Sequence, residues 1–348
     1  MKRYGNLFDR ICDLDNIREA HRNARRGKTG YRSVQRVDAD IERHAQRIHE
    51  LLTTGQYKTA NYRIFDRMDN GKRRVIYALP YFPDRIIHHC IMQVVEPIWA
   101  NTLIRDTYAS LKNRGVHDGV RRIKMALQND PEGTRYCLKM DVKQFYPSID
   151  HELLKGVIRR RIKDARLLTT LDEIIDSVPS GVPIGNYLSQ YFGNLFLSAI
   201  DHAAKEDLRL RYYYRYCDDI VVLAEDKTNL HRIRAWFSER LAAVRLVLKE
   251  NWQVFPVEGR GVDFLGYRFF HGKTLVRRRI AFKFKRQMRN LRRNWHRINP
   301  LTLLSSVMSY YGWAKVADAG RLFLTHVTPA LRRRVLLRCG PTLEGALA

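Results

Sequence analysis

The sequence runs to 348 residues, 45% hydrophobic and 11% aromatic, which is enough apolar material for two or three packed subdomains and too much for a disordered chain. Its 63 Lys and Arg outnumber 36 Asp and Glu for a formal charge of +27, and an excess of that size points to a polyanionic partner, nucleic acid first. No apolar run would span a bilayer, Met1 to Arg10 contains no signal-peptide core, and no lipidation site or basic amphipathic anchor is evident, so a cytoplasmic chain without membrane attachment is expected.

Along the chain, Ile41, Ile48, Leu51 and Leu52 recur at helical spacing among charged residues, so residues 1–60 are expected as a helical extension closing near Gly55. Residues 62–79 are rich in β-branched and aromatic side chains around Asp69-Asn70-Gly71-Lys72. Asn-Gly is a strong two-residue hairpin signal, and the hairpin carries Lys72, Arg73 and Arg74 just beyond its tip. Pro83 suits the start of a helix over 84–99. After the turn at 129–133, residues 135–142 read as a buried strand ending at Asp141. Helices are expected over 151–163 and, behind a Pro/Gly loop, over 183–202. Residues 211–223 form two strand-like runs meeting at Cys217-Asp218-Asp219. A helix over 229–243 and strands at 246–249 and 262–270 follow. The order βαββαβ is that of a split βαβ sheet. From Arg277 the chain is basic and helical. The cysteines Cys12, Cys90, Cys137, Cys217 and Cys339 are too scattered for a zinc site or a disulfide framework.

The acids carry the chemistry. Asp218 and Asp219 sit side by side before the apolar run Ile220-Val221-Val222-Leu223, where two carboxylates repel and require a cation. Asp141 ends a similar apolar stretch, and the split βαβ order makes its strand a neighbour of the Asp218-Asp219 hairpin. Hard carboxylate oxygens gathered there suit Mg²⁺, with Mn²⁺ as a substitute, shared with substrate phosphates.

These segments resemble the reverse transcriptase family in order from Tyr62 to Gly320. Lys72-Arg73-Arg74-Val75-Ile76 and Asp84-Arg85-Ile86-Ile87 are similar to its first fingers motifs, Leu138 to Asp150 to motif A, Tyr216-Cys217-Asp218-Asp219 to the Tyr-x-Asp-Asp motif C, and Phe264-Leu265-Gly266-Tyr267 to the turn that closes the palm. The resemblance implies a mixed α/β, right-hand polymerase with fingers and palm over 61–275 and a basic helical thumb over 276–348. It implies catalytic Asp141, Asp218 and Asp219, and a metal set of those three with Val142. Lys72, Arg74, Tyr146, Ile184, Gln190 and Lys249 would meet the incoming dNTP, with Tyr146 excluding a 2′-hydroxyl. Thumb residues Lys283, Arg286, Arg289 and Arg293 would follow the template-primer backbone, while Ile280, Phe282 and Phe284 pack on the palm. Tyr310-Tyr311-Gly312-Trp313 reads as helix packing before base stacking.

Ile184-Gly185-Asn186-Tyr187-Leu188-Ser189-Gln190 departs from the Gln-Gly-x-x-x-Ser-Pro of group II intron enzymes and resembles diversity-generating retroelement reverse transcriptases. That likeness implies a bacterial or phage-encoded enzyme that copies a template-repeat RNA into mutagenised cDNA, an RNA template with a DNA or RNA primer, and an oligomeric accessory variability protein as partner. The alternatives are a retron-type or abortive-infection-related polymerase and, from another class, a non-catalytic RNA-binding protein with a polymerase-like fold.

Overall fold

A computed structural model describes residues 2–69 and 71–339, excluding the side chains of Lys72 and of residues 336–339. Asn70 of the expected hairpin turn lies outside the described residues, as do the side chains of Lys72 and Cys339. The chain divides into two compact units. The first takes the chain up to Lys112 with Met140–Ile220 and Arg232–Trp252, and the second takes Asn113–Lys139, Val221–His231 and the chain from Gln253.

The first unit opens with four helices, α1 (Phe8–Cys12), α2 (Leu14–Ala24), α3 (Arg32–Asp38) and α4 (Ile41–Thr53), where one helical extension was expected. Side-chain caps open α2 and α4. Asp13 accepts from the backbone N–H of Asp15 and Asn16, and Asp40 from that of Arg43. Helix α4 buries Ala45, Ile48 and Leu52 along one stripe, and Gly55, at φ 69°, lies just past its end. Strands β1 (Arg63–Asp69) and β2 (Lys72–Ala78) form the expected hairpin, in register from Arg63 opposite Ala78 to Asp69 opposite Lys72. Gly71 has the positive φ, 80°, that a two-residue loop requires. Helix α5 (Ile86–Ala100) follows a turn containing Pro83.

Helix α6 (Val116–Asn129) in the second unit, with buried Val120, Ile123 and Leu127, was not expected, although its apolar spacing is helical. Strand β3 (Tyr136–Asp141) comes next. The helix expected over 151–163 ends early as α7 (His151–Arg159), because Asp164 caps a further helix, α8 (Ala165–Asp176), through the N–H of Leu167. Helix α9 (Tyr187–Glu206) is buried along most of its 20 residues. Strands β4 (Tyr212–Tyr216) and β5 (Asp219–Ala224), helix α10 (Lys227–Ala243) and strand β6 (Gln253–Pro256) complete a four-stranded sheet of order β4-β5-β3-β6. In chain order this is a split βαβ sheet with its first and third strands in the centre. The mixed α/β class, with a split βαβ sheet, is therefore present.

The fourth strand is not where the sequence placed it. β6 pairs with β3 from Tyr136 opposite Pro256 to Lys139 opposite Gln253. Residues 246–249 make one bridge only, Leu248 to Val142, because they meet the chain after β3 has ended. The short apolar run Leu246-Val247-Leu248 imitated a strand.

The second unit continues with a short helix, α11 (Val257–Arg260), and an antiparallel sheet of β7 (Val262–Phe264), β8 (Tyr267–Phe269) and β9 (Thr274–Val276). The single run expected over 262–270 is a hairpin, turned by Leu265 and Gly266 at φ 52° and 87°. A Cβ on Gly266 would lie 2.5 Å from the Trp313 ring. Helices α12 (Arg278–Asn294), α13 (Pro300–Val316), α14 (Gly320–His326) and α15 (Pro329–Cys339) share a core of Phe284, Met288, Leu291, Leu303, Val307, Phe323, Val327 and Leu331. Phe282, expected to pack inward with Phe284, is 55% exposed instead, because two residues along a helix turn a side chain through about 200°. Tyr310 and Trp313 pack against Phe284 and Tyr267, each pair with ring centroids 5.1 Å apart. Among the described residues no helix is long and apolar enough to cross a membrane.

Candidate active site

The backbone brings three distant segments of the first unit together. The N–H of Val142, just past β3, donates to the carbonyl of Asp218 at 3.2 Å, the N–H of Lys249 to that of Asp141 at 2.8 Å, and the N–H of Lys143 to that of Val247 at 2.7 Å. The side chains converge at the same junction. Lys249 Nζ lies 3.2 Å from Asp141 Oδ1 and 3.9 Å from Asp218 Oδ2, so one ammonium serves two carboxylates. Burial raises the Asp218 carboxyl above its ordinary value, the charge of Asp141 raises it further, and Lys249 and Arg74 pull it back. Asp219 opens β5 beside this pair and is half-buried.

Two facing carboxylates that already attract a cation are a fitting donor set for Mg²⁺. Among the described residues no three His, Cys, Asp or Glu side chains form a metal-holding group. Val142 is buried and brings only backbone atoms to such a site.

Tyr146 lies in a 3-10 turn after β3, its ring against Phe145 at 5.2 Å and its hydroxyl 3.6 Å from Cys217 Sγ as donor. Burial, then the neighbouring Cys217 and the charge of Asp218, push its hydroxyl well above the usual range, so it stays protonated. Gly193 of α9 makes this packing feasible, since a Cβ there would meet the Phe145 ring at 2.9 Å.

The loop before α9 is pinned to the hairpin: Tyr77 N–H donates to the Ile184 carbonyl at 2.9 Å. Gly185, at φ 127°, leaves room for the Tyr77 carbonyl 2.7 Å from where a Cβ would stand. Ile184 is half-buried there, whereas Gln190 is exposed and accepts from the Ser110 hydroxyl at 2.5 Å. On β2, Arg74 pairs with Asp69 at 3.0 Å and acts electrostatically on Asp218 and Cys217. The Lys72 side chain lies outside the described residues.

In the second unit, Lys283, Arg286, Arg289 and Arg293 are all exposed along α12, while Phe284, Met288 and Leu291 of the same helix are buried. The first three line an open groove of about 930 Å³ together with Arg277, Arg278 and Phe282.

Sequence reasoning missed a buried ion pair. Arg215 of β4 and Asp201 of α9 have no side-chain exposure, and Arg215 Nη1 donates to the Cys217 carbonyl at 3.0 Å. An arginine inside the apolar run Tyr212-Tyr213-Tyr214-Arg215-Tyr216 was the available signal.

The family model described as "Reverse transcriptase (RNA-dependent DNA polymerase)" matches residues 61–269. Protein YkfC of Escherichia coli is 25% identical over 283 residues, covering 68% of this chain and 74% of YkfC. The group II intron-encoded protein LtrA of Lactococcus lactis is 23% identical over 236 residues, 63% of this chain and 39% of LtrA. The Retron Ec73 reverse transcriptase of Escherichia coli is 28% identical over 163 residues, 43% of this chain and 50% of that protein. Among solved structures, apo telomerase from Candida tropicalis aligns with a TM-score of 0.48 at 14% identity, covering 83% of this chain and 65% of that one.

Proposed function

Because the chain belongs to the reverse transcriptase family, we propose that it is an RNA-directed DNA polymerase whose nucleotidyl transfer takes place at Asp141 and Asp218. The observation that carries this reading is the pair of carboxylates at the centre of the split βαβ sheet, sharing the Lys249 ammonium. A non-catalytic RNA-binding protein has no use for two facing acids that repel one another.

Asp141 and Asp218, with Asp219 and the Val142 backbone beside them, would hold Mg²⁺ or Mn²⁺. A divalent ion there makes a primer 3′-hydroxyl more acidic and neutralises triphosphate charge. Lys249 favours the ionised form of Asp218 before nucleotide arrives. Arg74, with Lys72, is assigned to the triphosphate, Tyr146 to the face of the incoming sugar, and Ile184 and Gln190 to the surroundings of the nucleobase. In the second unit, the basic face of α12 is assigned to the phosphate backbone of template and primer. The domain reading of fingers and palm over 61–275 and thumb over 276–348 belongs to the same proposal.

The finer proposal is a diversity-generating retroelement enzyme that makes error-rich cDNA from a template-repeat RNA and works with an accessory variability protein. It rests on Ile184-Gly185 and Ser189-Gln190 in place of the group II intron pattern. The similarity to group II intron and retron proteins favours a second reading, a polymerase of those types serving another RNA.

The deciding experiment is extension of a primer on an RNA template with dNTPs and Mg²⁺ by wild type and by Asp218→Ala/Asp219→Ala. Loss of cDNA with RNA binding retained is the expected result. Undiminished cDNA from the double variant would reject the assignment.

A further inference from the structure

The buried ion pair beneath the Cys217-Asp218 turn has no part in the roles above. Asp201 accepts from Arg215 Nε at 2.8 and 3.0 Å, from Arg215 Nη2 at 2.5 Å, from the Tyr213 hydroxyl at 2.5 Å and from the Thr107 hydroxyl at 3.5 Å. Two helical turns earlier on α9, Asn194 takes up more of the guanidinium, with Oδ1 accepting from Nη1 at 3.2 Å and the backbone carbonyl from Nη2 at 3.4 Å. The remaining bond from Nη1 goes to the Cys217 carbonyl at 3.0 Å.

Stability is a poor explanation for this pair. Desolvating two charges costs about as much as their attraction returns, and well-packed apolar residues of similar volume commonly do as well. What apolar residues cannot do is donate to a carbonyl. Cys217 is in the left-handed region at φ 53°, immediately before Asp218, and the next carbonyl, that of Asp218, accepts from Val142 at 3.2 Å. Two consecutive carbonyls of the turn are thus held, one from the buried arginine and one from the chain that follows Asp141. The planar fork of arginine lets a single side chain grip Asp201 and still reach the turn, which an ammonium cannot do.

We propose that Arg215, oriented by Asp201 and Asn194, is a positioning residue that fixes the Cys217-Asp218 turn so that the Asp218 carboxylate stands beside Asp141 to share a divalent cation. This rests on the polymerase reading of the same site.

The full-length chain is compared with Arg215→Met/Asp201→Leu, which removes both charges at similar volume, and with Arg215→Lys, which keeps the charge on Asp201 but gives up the bond to Cys217. Mn²⁺ binding is followed by the electron paramagnetic resonance signal of the free ion, alongside kcat, KM for dNTP, RNA affinity and thermal melting. Both variants are expected to fold and bind RNA as wild type does, with KM for dNTP within about twofold. Their Mn²⁺ affinity and kcat should fall by about 10- to 100-fold, the range for one charge-assisted hydrogen bond. Wild-type Mn²⁺ affinity and kcat in either folded variant would overturn the proposal. So would losses that only follow the unfolded fraction, or failure of both variants to fold, since either would make the pair structural. A wild-type chain that makes no cDNA would reject the polymerase reading instead, and the Mn²⁺ measurement would still judge the clamp.

Discussion

Replacing Ile184 by Gln tests the proposed link between the loop before α9 and copying errors. The loop is held through its backbone, by the 2.9 Å bond from Tyr77 to the Ile184 carbonyl and by the close approach that only Gly185 permits. The substitution therefore exchanges a side chain without releasing the loop. An aliphatic group offers contact area and no directional bond, so a misaligned nucleotide loses little against it, while a Gln amide would reward the correctly placed one. One hydrogen bond contributes about 0.5–1.5 kcal/mol, so misincorporation should fall by roughly 2- to 12-fold, most visibly opposite template adenines. Sequencing cDNA made on one RNA by wild type, by Ile184→Gln and by Ile184→Gln/Gln190→Pro measures it directly. Equal adenine error rates with activity retained would refute the reasoning and leave Ile184 as packing, with the errors arising at Tyr146 or from a partner protein.

Lys249→Met should move the acid limb of the kcat profile to higher pH, because burial and Asp141 already raise the Asp218 carboxyl and Lys249 opposes them. The sign for stability follows: with its folded value raised, ionised Asp218 works against the fold above that value, and the cost disappears as pH falls through it. An acid limb that stays put or moves down would remove Lys249 from this role. Reversing Lys283, Arg286 and Arg293 to Glu should weaken template binding and reduce the slope of log affinity against log salt by roughly one unit per lost phosphate contact, and an unchanged slope would place the template elsewhere. Gly266→Ala should destabilise the second unit by about 2–5 kcal/mol, summing left-handed backbone strain and a Cβ forced against the Trp313 ring at 2.5 Å, and a thermal melt equal to wild type would contradict it.

The features readable from sequence were those with a short-range cause. The Asn-Gly turn sets the β1-β2 hairpin, apolar runs before Asp141 and after Asp219 mark central strands, and three-and-four spacing puts Lys283, Arg286 and Arg293 on one side of α12. The same local rules misplaced the fourth strand, because Leu246-Val247-Leu248 is a short apolar run such as a strand presents, and only the length of β3 available for pairing assigns the ladder to residues 253–256. Asp164 carried a capping signal for α8 that competed with helix-favouring residues on its N-terminal side, so the break passed unread. Whether Phe282 faces inward depended on the rotational setting of α12, which its contacts with the neighbouring helices determine. The site divides the same way. Adjacent acids in an apolar context announce a need for a cation, but that Lys249 supplies one from 108 residues after Asp141, and that Arg215 grips Asp201 fourteen residues back along the chain while reaching the Cys217 carbonyl, are matters of long-range register. Residue type and spacing report what a side chain needs, and only the packed backbone decides which distant group meets that need, because the partner is selected by strand pairing and helix docking rather than by its neighbours in sequence.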